Sequence, residues 1–203
     1  MRITPGRLLL RTAVGGFFVG HGTQKLFGWF GGNGLDATAA HFESLGLRPG
    51  RRHALAAGTA EAGGGALIAL GAATPLAASV LTATMLTAIN RVHLKNGPWA
   101  SKGGYEYNVV LIAAALALAE TGPGSPSVDA ARGDRMHGPG WALGALALGA
   151  AGAVGAHLAA GAAPASEAGF SSPAPSASSA SSESPSAPAS DGAPEAEEAS
   201  LTE

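Results

Sequence analysis

The stretch NRVHLKNGPWASKGGYEYN, residues 90–108, decides how the chain is read. It is a polar turn between two long apolar runs, PLAASVLTATMLTAI (75–89) and VVLIAAALALA (109–119). Arg91, His93, Lys95, Lys102 and Glu106 sit in it beside Trp99, Tyr105 and Tyr107. Charges mixed with aromatics at the ends of apolar runs are what a membrane–water boundary selects. The stretch therefore predicts the connector of a transmembrane helical hairpin, and half of a polar site.

Composition agrees. Of 203 residues, 46% are hydrophobic and 13% charged, and the apolar mass is largely Ala, Leu and Val with 31 Gly. A soluble domain carries about 25% charged residues. Small residues suit helices that approach closely in lipid, where no hydrophobic force drives them together. With no cysteine, disulfides, thiolate metal sites, iron–sulfur clusters and a Cys nucleophile are excluded. No metal site is expected. From Pro164 onward there are seven acids and no Lys or Arg, so the net charge of −2 divides into +5 for the body and −7 for the tail. Neither part is basic enough or suitably patterned for nucleic acid.

Outward from the opening stretch, the chain predicts an all-α polytopic transmembrane bundle. Helix 1 is expected over residues 6–27, helix 2 over 53–73, helix 3 over 75–93 and helix 4 over 105–120. The Arg residues and apolar run at the start resemble a signal peptide. No A-x-A cleavage site follows, however, and the run continues into His21, Gln24 and Lys25. Between helices 1 and 2, Asp36 is expected to N-cap a short amphipathic segment reaching Leu45. Four helices make a domain over residues 1–122, and residues 123–139 read as a loop. Residues 140–163 form a fifth apolar run long enough to span about 20 residues of bilayer. The Ala/Ser/Pro/Glu tail, residues 164–203, is expected to be disordered.

Consecutive spans alternate in direction. The ends of helices 1 and 3 therefore meet the starts of helices 2 and 4 on one side. His21, Gln24 and Lys25 close helix 1, Glu61 lies inside helix 2, Asn90, Arg91 and His93 close helix 3, and Tyr105, Glu106 and Asn108 open helix 4. The set predicts an inward-facing polar cup roofed by the first connector. A charge inside a span costs several kcal/mol unless paired or hydrated, so Glu61 is expected to pair with Lys25 or Arg91, and Glu106 with another base. Arg7, Arg11 and Glu120, at the opposite helix ends, are expected to reach water. Arg91, Lys95 and Lys102 also fit plain snorkelling at helix ends, and His157, alone in the fifth run, reads as ordinary packing. Two histidines without a motif, His21 and His93, are a weak basis for a haem.

GHGTQKLFGWFGG (20–32), FESLGLRPG (42–50), AEAGGGALIALGAATPLAA (60–78), VHLKNGPW (92–99) and KGGYEYNVVL (102–111) together resemble the DoxX family of small bacterial membrane proteins. The resemblance runs over residues 7–122. It implies a four-helix membrane bundle in the bacterial plasma membrane, associated with oxidoreductase systems that include thiosulfate:quinone oxidoreductase and oxidative-stress defence. Matched motif by motif, it implies His21, Lys25, Glu61, His93, Lys95, Lys102, Tyr105, Glu106 and Asn108 as site residues, with no agreed catalytic role for them. The fifth run and the tail lie outside the family pattern.

Arg2, Arg7 and Arg11 favour a cytoplasmic N-terminus, although the loop charges count seven to five against it. Three functions stay open. One is a redox-associated membrane subunit whose cup receives a quinone head group or small oxyanion. With no flavin or nucleotide motif, it would depend on a bound cofactor or on soluble redox enzymes as partners. The others are a proton or solute transporter, and a non-catalytic membrane anchor for soluble enzymes.

Overall fold

A computed structural model describes residues 3–162. The acidic tail expected to be disordered lies outside the described residues. Those residues form helices and turns, with no strand among them. α1 (Pro5–Phe27) begins with Pro at its first turn and ends where Gly28 takes a left-handed conformation, φ 73°. α2 (Gly34–Ser44) crosses to α3 (Gly50–Leu70). α4 (Thr74–Ala88) passes into a π-helical turn (Ile89–His93) and two 3₁₀ turns, and α5 (Glu106–Thr121) returns. A short α6 (Val128–Arg132) precedes α7 (Pro139–Gly161).

Four features differ from expectation, besides α3 ending at Leu70 rather than at residue 73. α3 starts about a turn early, because Gly50 is packed under α2 and its N–H donates to Glu43 Oε1 at 3.1 Å. Glu61 consequently stands about three turns into its helix rather than two. Asp36 is not the cap of α2; Asn33 holds that position without a side-chain bond, and Asp36 pairs with Arg51 of α3. The expected third helix gives way at Ala88 to the π turn. The segment between α5 and α7, expected as a plain loop, contains α6.

α1 lies along α3 with backbone against backbone. A Cβ placed on Gly15 would stand 2.5 Å from Gly65 O and 2.6 Å from Ala69 N; one on Gly22 would meet Gly58 O at 2.6 Å and the Ala62 N–H. Glycines seven apart on α1 thus face small residues four and three apart on α3, the spacing at which a helix keeps one face. Val14 and Phe18 of α1, Ile68 of α3, Leu81 and Met85 of α4, and Leu111 and Leu118 of α5 fill the core. α7 closes on α4 where Gly149 meets Thr82, and on α5 through Ala115, Ala119 and Ala145.

The end of the bundle away from the polar turn is sealed by polar groups. Arg11, expected to reach water, is 4% exposed; it donates to Ala69 O at the end of α3 and to Pro126 O. Asp129 of α6, equally buried, accepts from Ala73 N at 2.7 Å, Thr74 N at 3.1 Å and Thr74 Oγ1 at 2.8 Å. A cation at a helix C-terminus and an anion at a helix N-terminus both satisfy orphan backbone groups and oppose the helix dipole. The segment expected as a loop is therefore a plug.

Among the described residues, α7 is the one helix long and apolar enough on its own to cross a membrane. α4 and α5, at 15 and 16 residues, are shorter than the span of about 20, and α1 and α3 carry charges.

Two outcomes follow from this packing. Gly22→Ala inserts a methyl into backbone and should cost about 2 kcal/mol, lowering the melting temperature of the detergent-solubilised chain by roughly 5 °C. Gly16→Ala, nearly two turns away with nothing within 4 Å, should leave it unchanged or slightly raised. Asp129→Ala removes three bonds to a buried carboxylate and should cost about 2–3 kcal/mol in the same melt.

Candidate functional site

At the polar-turn end, α1, α2, α3, α4, α5 and α7 enclose a cavity of about 690 Å³. Its walls are mostly small and apolar: Ala56, Ala57 and Ala60 of α3, Val80, Ala83 and Ala88 of α4, Leu111 of α5, and Gly152 and Ala156 of α7. Into this wall α1 and α3 place one ion pair. Lys25 Nζ lies 2.5 Å from Glu61 Oε2, with the Glu61 side chain 5% exposed and Lys25 26%. The glycine seam fixes their register, since Gly22 precedes Lys25 by one turn and contacts Gly58 and Ala62 on either side of Glu61. A buried carboxylate is costly without a partner, and Lys25 is the partner rather than Arg91.

The π turn supplies the second group of polar residues. In an α-helix, residues two apart point to different faces. In the widened turn Arg91, Val92 and His93 all line the cavity. Arg91 Nη2 is 2.6 Å from His157 Nδ1 on α7, and Nη1 is 3.4 Å from Leu45 O at the end of α2. His93 Nδ1 donates to Gly103 O at 2.8 Å. Asn108, 6% exposed, directs its amide at Met85 Sδ, 3.3 Å away. His21 completes the expected residues in the wall.

His21, Lys25, Glu61, Arg91, His93 and Asn108 are thus brought together, and the other six candidates are not. Gln24 points to the outer face of α1, where its Oε1 faces His21 Nδ1 at 3.2 Å and its Nε2 donates to Phe30 O at 3.2 Å. Asn90, expected to share a face with His93 three residues on, is exposed, because the π turn breaks the α spacing. Lys95 and Lys102 are exposed on the folded turn. Tyr105 is half-buried as the residue preceding α5, its N–H donating to Gly97 O at 3.2 Å. Glu106 finds no base; its Oε2 accepts from Ala100 N at 2.9 Å. The polar turn thus spends Glu106 on its own backbone.

Four residues join the site that the sequence reading did not select. His41, His53 and Tyr107 line the cavity, and His157 holds Arg91. His157, one ionisable group inside an apolar run, carries the same signal in sequence as Glu61. His41 and His53 carry no such signal, as both sit in the short, charged connector region between the first two long apolar runs.

Breaking the pair on one side should destabilise more than removing it. Lys25→Met strands the Glu61 carboxylate and should cost about 3 kcal/mol, whereas Lys25→Met with Glu61→Leu should recover most of the loss. A double-mutant cycle of thermal unfolding in detergent reads the coupling; additive losses would contradict it.

The DoxX family model matches residues 6–94. The Bacillus subtilis (strain 168) protein named "Putative oxidoreductase CatD" is 33% identical over 113 residues, covering 56% of this chain and 78% of that protein. No solved structure matches. The cavity's α1, α2, α3 and α4 walls fall within the family match, while α5 and α7 extend past it. On the family match and this relative together, the chain belongs to the DoxX family of membrane proteins.

Proposed function

We propose that the chain is a multi-pass subunit of a redox system in the bacterial plasma membrane, and that its cavity receives a quinone head group. The observation that carries this is the Lys25–Glu61 pair, the one buried ion pair opening onto an otherwise apolar cavity among the described residues. Small-molecule sites are commonly about 300–1,000 Å³, mostly apolar, with a few placed polar groups. A quinone ring suits apolar walls, and its carbonyl oxygens accept from the Lys25 ammonium and the Asn108 amide. Reducing a quinone to a quinol takes up two electrons and two protons. Here the Lys25 ammonium holds a proton at the site, the Glu61 carboxylate relays the two protons in from the aqueous side, and a soluble redox enzyme supplies the two electrons. The relative's name as an oxidoreductase supports the redox setting.

Membrane crossing by the other helices is supported by their outer faces. Leu9 and Phe17 of α1, Leu55 and Leu70 of α3, Leu76 of α4, and Val109 and Val110 of α5 are all exposed, as are Leu143, Leu148 and Leu158 of α7. Apolar surface of that extent favours lipid over water. Exposed Trp29, Phe30 and Trp99 at one end and Trp141 at the other match the two interfacial aromatic belts of a span. A cytoplasmic N-terminus is supported by Arg2, Arg7 and Arg11 around the start of the first span.

Titration of the purified full chain with ubiquinone-1 is the test. Wild type should bind saturably, and Glu61→Gln should bind about tenfold more weakly, equivalent to about 1.4 kcal/mol. Absence of binding by both would sink the reading. Proton or solute flux into proteoliposomes that Glu61→Gln abolishes would assign a transporter instead.

A further inference from the structure

The cavity has a second polar pole, and its charge is not balanced. Among the described residues, the ion pairs are Lys25–Glu61, Arg51–Asp36 and Arg132–Asp134, and no carboxylate reaches Arg91. Glu61, the one acidic residue in the wall, is taken by Lys25. Arg91 therefore brings a net positive charge to a wall of alanine, glycine and valine. Its protein contacts are neutral ones: Leu45 O and the ring of His157. Arg donates only, so His157 Nδ1 accepts and its proton sits on Nε2. Arg91 is half-buried and without a counter-ion among the described residues, and a guanidinium's planar fork suits carboxylate or phosphate oxygens.

We propose that Arg91, oriented by His157, binds the carboxylate or phosphate of an amphiphilic anion whose hydrocarbon part lies along Ala83, Ala88, Gly152 and Ala156. This does not rest on the quinone reading. It assigns a role to α7, which lies wholly outside the family match. The anion is a free fatty acid or a lipid head group, the shared chemistry being one negative group on an apolar body.

Displacement of cis-parinaric acid from the full chain in dodecyl maltoside tests it, with laurate and its uncharged methyl ester as competitors. Laurate should compete at least tenfold better than the ester. Arg91→Gln should erase that difference, and Arg91→Lys, which keeps the charge but loses the fork, should retain part of it and guards against a folding defect in the glutamine variant. In parallel, native mass spectrometry should find phosphatidylglycerol retained over phosphatidylcholine if the source is a lipid head group, again dependent on Arg91. Charge-dependent binding in either arm supports the proposal and names the source. Equal binding of laurate and ester together with equal retention of the two lipids overturns it, as does binding that Arg91→Gln leaves unchanged. Ubiquinone-1 titration of the same variants keeps the readings apart: failure of wild type to bind it removes only the quinone reading.

Discussion

The contact on which everything else depends is the bare backbone seam between α1 and α3. Gly15 and Gly22 lie directly on Gly58, Ala62, Gly65 and Ala69, with no side chain between them. That approach fixes both the distance and the register of the two helices. It is why an ammonium on one and a carboxylate on the other meet at 2.5 Å well inside the bundle. A single β-carbon added to the seam would push the helices apart and leave a buried charge alone.

The two ends of the bundle then do different things with polar groups. At one end Arg11 and Asp129 bond to backbone: Arg11 to Ala69 O and Pro126 O, with its Nε left unpartnered, and Asp129 to the start of α4. At the other, Lys25 and Glu61 satisfy each other, and Arg91 faces the cavity with neutral partners, Leu45 O and His157. Polar groups bound to backbone close a structure, and a charge without a counter-ion facing a cavity awaits one. The asymmetry between ends is thus one of valence rather than of polarity, since both ends contain buried charge.

Much of this was legible in the sequence. Apolar runs, glycine breaks and the Pro at the start of α4 placed the helices to within a turn, and alternation of direction gathered at one end the six candidates that line the cavity together with six that do not. Glu61 stood out because its neighbours AGTA and AGGG offer it nothing. What could not be read was the π turn. An extra residue in one helical turn has no pattern in a Leu/Thr/Ala run, yet it decides that Arg91 and His93 face inward and Asn90 outward. Nor could the polar turn be read in detail. Glu106 looks like a site residue by type, but the turn's own N–H groups needed partners first, and in a folded connector that demand wins. The plug was missed for the opposite reason: Arg11 lies near a helix end, where arginine ordinarily finds water, and only the fold brings Pro126 over it.

The seam also sets what the rest of the molecule stands on. Helices interlocked at the main chain have no slack to slide or roll, so α1 and α3 behave as a single post. α2 leaves and rejoins that post through Gly31, Gly34 and Gly46, all at left-handed angles, and is docked on it by Gly50 beneath Ala39 and by the Asp36–Arg51 pair. It carries His41 and Phe42 to the cavity wall. The rim of the cavity is therefore cantilevered from the same frame that holds its charges, and a fault in the seam would deform both at once.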